Sequence, residues 1–483
     1  MDFALHEFIA WTVTHLGTAV AVLFAVNIAL VGFVILLENR EPERSHSWLL
    51  VLFAFPFVGF ILYIFFGHNW HRKSREARRL GMRMLARWRE IADRDATLLP
   101  ADTPNAERRL RALSTTTTGF SLTKGNAVRI LTDAHEKYPH LFVALRNAKR
   151  TIDLEYYIFR YDEIGLEIID ILIQKAKAGV KIRFLVDGMG SIGLGMKVFA
   201  RMRAAGIQAH YFAPLSTLLY FFKVNYRDHR KIVIIDEEIV FTGGINIGKE
   251  YLGNSERGPW RDTSIELRGP CVGQFIEVFQ ESWTRTTRTS RQTIPQPASV
   301  GTDTINVISS GPDSDWYAIQ RIYLELIHQT DRHLVVQTPY FIPDAAIQEA
   351  LINAALRGVN VELFIPRYPD TPLFRWVAMT YIGDLLRAGV RVFEYPVGFL
   401  HQKILISDAI LATVGTCNID LRSFHLDFEV NVLISGSQAI RHLLEDAERD
   451  KAASQELTYE TYLQRPLLVR VRESLARLIG PLL

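Results

Sequence analysis

Apolar positions along the chain fall into three regimes. From Leu16 to Leu37, and again from Trp48 to Gly67, they run without a charged residue. Each stretch reaches the ~20 residues that a helix needs to cross a bilayer. The polar turn Glu38–Ser47 between them predicts a transmembrane helical hairpin over residues 1–70, with spans near 16–37 and 48–67. A cleaved signal peptide is disfavoured, because no Lys or Arg precedes the first run and the run is too long. Asn27 and His15, the polar positions there, read as facing a helix partner or the interface.

Residues 71–119 form the second regime, a basic juxtamembrane helix and linker. His71-Arg-Lys-Ser-Arg-Glu-Ala-Arg-Arg79 is followed by Arg83, Arg87 and Arg89, a charged helix ends near Pro100, and Ser114–Gly119 is polar. Positive flanks favour the cytoplasmic side, so the amino terminus and the large remainder are expected to share it. Arg40 and Arg44 in the short loop oppose that orientation.

From about Ala127 the period alternates between helix and strand. Lys137–Lys149 is helical, Thr151–Phe159 a strand, Ile164–Ala178 a helix closed by Gly179, and Val180–Val186 a continuous apolar strand of the doubly covered kind. The same phrase returns as helix Trp316–Thr330, strand Leu334–Ile342, helix Ala345–Arg357 and strand Val359–Ile365. Thr284–Thr304, rich in Thr, Arg and Pro, reads as the linker between the copies. An α/β repeat is therefore expected, one half near 120–290 and the other near 291–483, with a site where the copies meet.

Composition changes this picture little. A chain of 483 residues exceeds one compact core, and its formal charge of +3 makes no case for a nucleic-acid partner. Cys271 and Cys417 form no metal-type spacing and read as small apolar fillers. No cluster of carboxylates with metal spacing occurs, so neither a metal nor another cofactor is expected.

The chemistry lies in one polar cluster per half. His229-x-Lys231-x4-Asp236-x6-Gly243-x2-Asn246 is matched by His401-x-Lys403-x4-Asp408-x6-Gly415-x2-Asn418. On an extended segment, His and Lys two residues apart project to one face. Two imidazoles from facing halves supply a nucleophile and a proton donor for double displacement at phosphorus. Lys231, Lys403, Asn246 and Asn418 are candidates to gather the non-bridging phosphate oxygens.

These residues resemble the phospholipase D superfamily, which shares the His-x-Lys-x4-Asp signature. The resemblance implies two α/β lobes forming one bilobal catalytic domain, a phosphohistidine intermediate and no metal. It implies that His229 attacks and His401 protonates the leaving alcohol, with Asp236 and Asp408 supporting the catalytic signature. Relatives pair each histidine with an acid of the opposite half, so Asp262 is expected beside His401 and Glu429 beside His229. Trp48-Leu-Leu-Val, Pro56, Gly59-Phe-Ile-Leu-Tyr63, Lys124-Gly-Asn126, Glu155-Tyr-Tyr-Ile-Phe159, Asn246-Ile-Gly-Lys-Glu-Tyr251, Thr338-Pro-Tyr-Phe341, Asn418-Ile-Asp-Leu-Arg-Ser423 and Pro481-Leu-Leu483 extend the likeness to the bacterial cardiolipin synthase family. That family implies phosphatidyl transfer between two phosphatidylglycerols, giving cardiolipin and glycerol, at the bacterial inner membrane with the catalytic domain on the cytoplasmic face.

Five positions depart from the family pattern: Asp228, Glu237, Thr416, Cys417 and Asp427, which bear on the acceptor more than on the chemistry. A lipid hydrolase, a phosphatidyltransferase with another acceptor, a nuclease and a non-catalytic scaffold are the rivals. Leu467–Ile479 reads as a basic amphipathic helix, lying either on a lipid surface or against the second lobe.

Overall fold

The computed structural model describes residues 105–213, 225–253, 258–289, 295, 297–314, 316–436 and 438–480, together with parts of 15–63, chiefly 42–55 and 58–63. The first half contributes β1 (Thr123–Leu131), β2 (Thr151–Tyr156), β3 (Lys181–Asp187), β4 (Gln208–Phe212), β5 (Lys231–Ile235), β6 (Ile239–Gly243), β7 (Trp260–Arg261) and β8 (Ser264–Arg268). The second contributes β9 (Asp303–Ser310), β10 (His333–Gln337), β11 (Phe341–Ile342), β12 (Asn360–Pro366), β13 (Arg391–Tyr395), β14 (Phe399–Leu400), β15 (Ile404–Ser407), β16 (Leu411–Gly415), β17 (Ile419–Asp420), β18 (Glu429–Ser435) and β19 (Gln455–Leu457).

Most of these strands join one 15-stranded sheet that runs through both halves. Outward from its middle, the first half reads β1-β8-β6-β5-β2-β3-β4 and the second β9-β18-β16-β15-β10-β12-β13, with β19 added at the edge. Position by position the two orders correspond. The seam is the antiparallel pair β1–β9, whose register shifts between Thr123 and Asn126. β2–β3–β4 and β10–β12–β13 are the parallel portions, and the strands that carry the signatures, β5 and β15, lie antiparallel beside β2 and β10.

Burial explains the strands. β5 and β16 are buried throughout, and β3 and β12 nearly so, as sheets covered on both faces require. Beneath the seam, helix Cys271–Thr287 inserts Phe275, Ile276 and Phe279, and helix Gln438–Ala453 inserts Ile440 and Leu443, into one core with Ile305 and Val307. Each half also keeps its own core. The crossover helices begin where the sequence places acceptors: Asp162 accepts from the backbone N–H groups of Ile164 and Gly165, and Asp344 from that of Ile347.

Two local readings change. The stretch expected as one strand over Leu334–Ile342 breaks after Gln337, and Phe341–Ile342 turns away to pair with Ile419–Asp420. Of Ser114–Gly119, expected as linker, all but Gly119 belong instead to helix Asn105–Thr118. The Thr117 and Thr118 hydroxyls donate to the carbonyls of Leu113 and Ser114 four residues back, so the polar run stays helical. Although it precedes the first lobe in sequence, this helix packs on the second: Leu110 enters that lobe's core and Ser114 Oγ donates to Asn306 Oδ1 at 2.8 Å.

At the amino-terminal end, the second apolar stretch forms helices Pro42–Ala54 and Val58–Leu62. Trp48 and Tyr63 meet edge to face at 5.6 Å, while Leu50, Phe53, Phe55, Val58 and Ile61 point outward. Among the described residues no helix is long and apolar enough to cross a membrane. Of the first expected span, residues 17, 18, 21, 22, 24–29, 31 and 32 are described and helical; its other positions, the charged helix over 71–100 and Pro481–Leu483 lie outside the described residues.

Candidate active site

Both signature histidines stand just before a central strand, His229 two residues ahead of β5 and His401 three ahead of β15. Each is fixed by the opposite lobe. The His229 N–H donates to the Phe428 carbonyl at 2.9 Å, and the Phe428 N–H donates to the Arg227 carbonyl at 2.9 Å. In the other half-site β14 pairs in parallel with β7, and the His401 N–H donates to the Arg261 carbonyl at 2.7 Å. Each lobe thus lends the chain just before its acid to hold the other lobe's histidine.

That exchange delivers the carboxylates. Glu429 Oε1 lies 2.9 Å from His229 Nδ1, and Asp262 Oδ2 lies 2.6 Å from His401 Nδ1. All four side chains are buried or nearly so. With Nδ1 directed to a carboxylate, each ring presents Nε2 to the site. Gly244 makes room for one of these acids, since a Cβ there would stand 2.0 Å from Asp262 Oδ1. Thr416, which replaces the family's usual serine, donates its hydroxyl to Glu429 Oε2 and receives the Val430 N–H.

The lysines complete a cationic centre. Lys231 Nζ donates to the His229 carbonyl at 2.8 Å, and Lys403 Nζ reaches both the His401 carbonyl and, at 2.9 Å, its Nδ1. Burial pushes Lys231 down to about 7 and Lys403 down to about 8. Burial also carries His401 down to about 4, assisted by Lys403 and opposed by Asp262. His229 is held well below its usual value by burial, then by Lys231, Lys403 and the His401 imidazole. Burial raises Glu429 to about 7. It pushes Asp262 upward too, but Lys403 and His401 outweigh it and keep that carboxyl below its ordinary range. Two imidazoles and two ammonium groups gathered in one buried place suppress one another's charge, which an entering anion would restore.

Asn246 and Asn418 are also buried. Asn246 Oδ1 accepts from the Ile158 N–H at 3.2 Å and its Nδ2 donates to the Tyr251 hydroxyl, so the amide is engaged within its lobe. Asn418 Oδ1 has no hydrogen-bond partner among the described residues.

Asp236 and Asp408 are not brought to the histidines, which corrects their place in the catalytic set. They follow the far ends of β5 and β15, about 17 Å from the lysines at ~3.3 Å per residue. Asp236 accepts from the N–H groups of Lys149, Arg150 and Thr151, and Asp408 from those of Asp331, Arg332 and His333. Both have left-handed backbone, with φ of 53° and 51°. They tie the turn after each signature strand to the start of its neighbour.

Other neighbours carry weaker signals in the sequence. The Tyr157 ring meets the His229 ring at 4.9 Å, and Tyr251, Trp260, Tyr340 and Phe399 surround His401 at 5.2–6.5 Å. Tyr157 and Tyr340 fall in aromatic phrases at strand ends that mark the family likeness, but nothing local links them to a histidine. Lys137 gives no signal, being one basic residue of an amphipathic helix. It is wholly buried, donates to the Ile245 carbonyl and is lowered to about 7 by burial. Asp228 and Asp427, where the family commonly has Asn, flank the backbone pairing at His229, and Asp427 is paired with Arg422 at 3.2 Å.

Comparison with known proteins places these features in a family. Residues 141–283 and 323–451 match the family described as cardiolipin synthase, PLD-like domain, and residues 25–68 match a phospholipase D-nuclease N-terminal family. The chain is 39% identical over 474 residues to the major cardiolipin synthase ClsA of Bacillus subtilis (strain 168), covering 95% of this chain and 98% of that protein. It is 37% identical to a cardiolipin synthase of Alkalihalophilus pseudofirmus, over 96% of this chain and 93% of the relative. Its fold is similar to that of the phosphatidylserine synthase of Haemophilus influenzae Rd KW20, with a TM-score of 0.61 at 14% identity, covering 78% of this chain and 100% of the other. With the family match spanning both halves and full-length relatives above a third identity, the chain belongs to the bacterial cardiolipin synthase, phospholipase D-like family.

Proposed function

We propose that the protein is a cardiolipin synthase that moves a phosphatidyl group between two phosphatidylglycerols through a phosphohistidine. The observation that carries this reading is the reciprocal arrangement of His229 with Glu429 and His401 with Asp262 across one buried cationic centre. His229 Nε2 attacks phosphorus and an N–P bond forms. The bond from phosphorus to the glycerol oxygen breaks as His401 delivers a proton to that oxygen, and glycerol leaves. The second phosphatidylglycerol then gives a hydroxyl proton to His401 while its oxygen attacks, the N–P bond breaks, and cardiolipin departs. One phosphodiester replaces another, so no nucleotide is consumed.

Lys231, Lys403 and Asn418 are assigned to the non-bridging oxygens, and Asn246 to the loop behind them. The carboxylates hold each ring's tautomer and stabilise its charged form. Residues 16–37 and 48–67 are assigned to a membrane hairpin, supported by the amino-terminal family match and by the outward apolar side chains around Phe53. The basic run after residue 71 favours the cytoplasmic side for the lobes.

The test is the lipid made by purified full-length protein from phosphatidylglycerol alone. Cardiolipin and glycerol in equal amounts are expected, whereas phosphatidic acid without cardiolipin would make the protein a hydrolase. His401→Ala is expected to slow turnover by ~10²–10⁴-fold and to leave lipid trapped on His229. Lipid found on His401 in a His229→Ala variant would reverse the two roles.

A further inference from the structure

We infer that the carboxy-terminal helix Leu467–Arg477, with the turn that follows, seats the second lobe on an anionic bilayer surface beside the active site. The inference rests on the lipid-transfer reading above. One edge of this helix is protein-packed. Ala476 joins Val377 and Ile342 in a small core, Arg472 stacks on Trp376 at 4.4 Å, and Arg477 lies over Tyr381 at 5.5 Å. The opposite edge is bare: Leu467, Leu468, Val471, Leu475, Leu478 and Ile479 are 41–83% exposed. Their spacing confines them to an arc of ~120° at ~100° per residue.

A contiguous apolar ridge of this kind is unusual on a water-facing surface. A cleft of about 360 Å³ along the helix carries Arg470 and Arg477, with Arg465 paired to Glu473 between them. Apolar insertion flanked by guanidinium groups matches the chemistry of an anionic headgroup layer over acyl chains. The position matters as well. The helix rests on helix Pro372–Ala388, whose Phe374 meets Tyr340 at 4.2 Å, and Tyr340 lies 6.3 Å from the His401 ring. Two packed layers therefore separate the exposed ridge from the second histidine, which would bring the reaction close to the surface that holds its substrates.

The experiment uses the full chain, with Leu468→Cys carrying an environment-sensitive fluorophore. Both native cysteines are buried, and burial raises their thiols (Cys271 to about 12), so the new thiol reacts selectively. The labelled protein is reconstituted in phosphatidylcholine vesicles with and without phosphatidylglycerol, each containing a spin-labelled quencher lipid, with exposed Glu448→Cys as control. Quenching at position 468 several-fold above the control, and stronger with phosphatidylglycerol, is the expected result. Quenching equal to the control, or indifferent to phosphatidylglycerol, would overturn the inference. So would oxidation of the unlabelled Leu468→Cys protein to a covalent dimer, which would make a second copy the occupant. The readout needs no turnover, so its failure is distinguishable from failure of the proposed reaction.

Discussion

At the scale of single residues, the site is organised around charge held out of water. Lys231, Lys403, His229 and His401 all lose protons more readily than usual because of burial, joined at Lys231 and the two histidines by repulsion from neighbouring cationic groups. An anion that enters must reverse those shifts, raising each group towards its charged form. Binding of inorganic phosphate or vanadate at pH 7 is therefore expected to take up protons. Calorimetry in buffers of different ionisation enthalpy measures this directly, and release of protons would contradict the cationic reading of the centre. Local sequence disclosed these four residues, because a two-residue spacing on an extended chain fixes their shared face. It did not disclose Tyr157 or Lys137, whose contacts come from residues far away in sequence.

At the scale of elements, the signature aspartates show how a fixed spacing can reflect architecture. Asp236 and Asp408 cap the turns that join each signature strand to its neighbour by accepting three backbone N–H groups apiece. Asp236→Asn or Asp408→Asn should lower stability by about 1 kcal/mol, given their partial exposure, while activity per folded molecule is retained. Burial pushes both carboxyls up, but the N–H groups prevail and hold them below the ordinary 3.8. A lowered pKa gives stability that is present above the unfolded value and lost as pH falls through the folded one. The gap between wild type and variant should thus persist at pH 7 and close below about pH 3.8 in denaturant titrations. Most helix and strand positions were legible from periodicity, because buried strands and amphipathic helices record their burial in the order of residues. Helix Asn105–Thr118 was not, since its polar threonines satisfy themselves on the helix backbone and Leu110 is buried by a lobe that follows it in the chain.

At the scale of the whole molecule, the two lobes act as one body through a continuous sheet and a shared core. Arg261, adjoining the acid of the first half, reaches Asp450 at 2.7 Å and Asp446 at 3.3 Å on the second lobe's helix. Those carboxylates are almost wholly buried. Arg261→Ala would leave Asp450 with the Gln337 amide and no cation, while Asp446 keeps Arg449, so the loss should be ~3 kcal/mol. Differential scanning fluorimetry of Arg261→Ala beside Arg261→Ala with Asp446→Asn and Asp450→Asn should show partial recovery in the triple variant. Equal melting of wild type and Arg261→Ala would show that the clamp contributes nothing.

By itself the sequence determined the repeat, the paired His-x-Lys signatures and most secondary structure, because each is written in spacings shorter than a strand or helix. Family likeness suggested which acid meets which imidazole, but the residues alone left it open. Tertiary structure decided it, since partners 139 and 200 residues apart meet only after two lobes align along one seam and exchange backbone pairings. It also separated Asp236 and Asp408 from the chemistry, for the same strand that gives His and Lys a common face carries the aspartate to its other end.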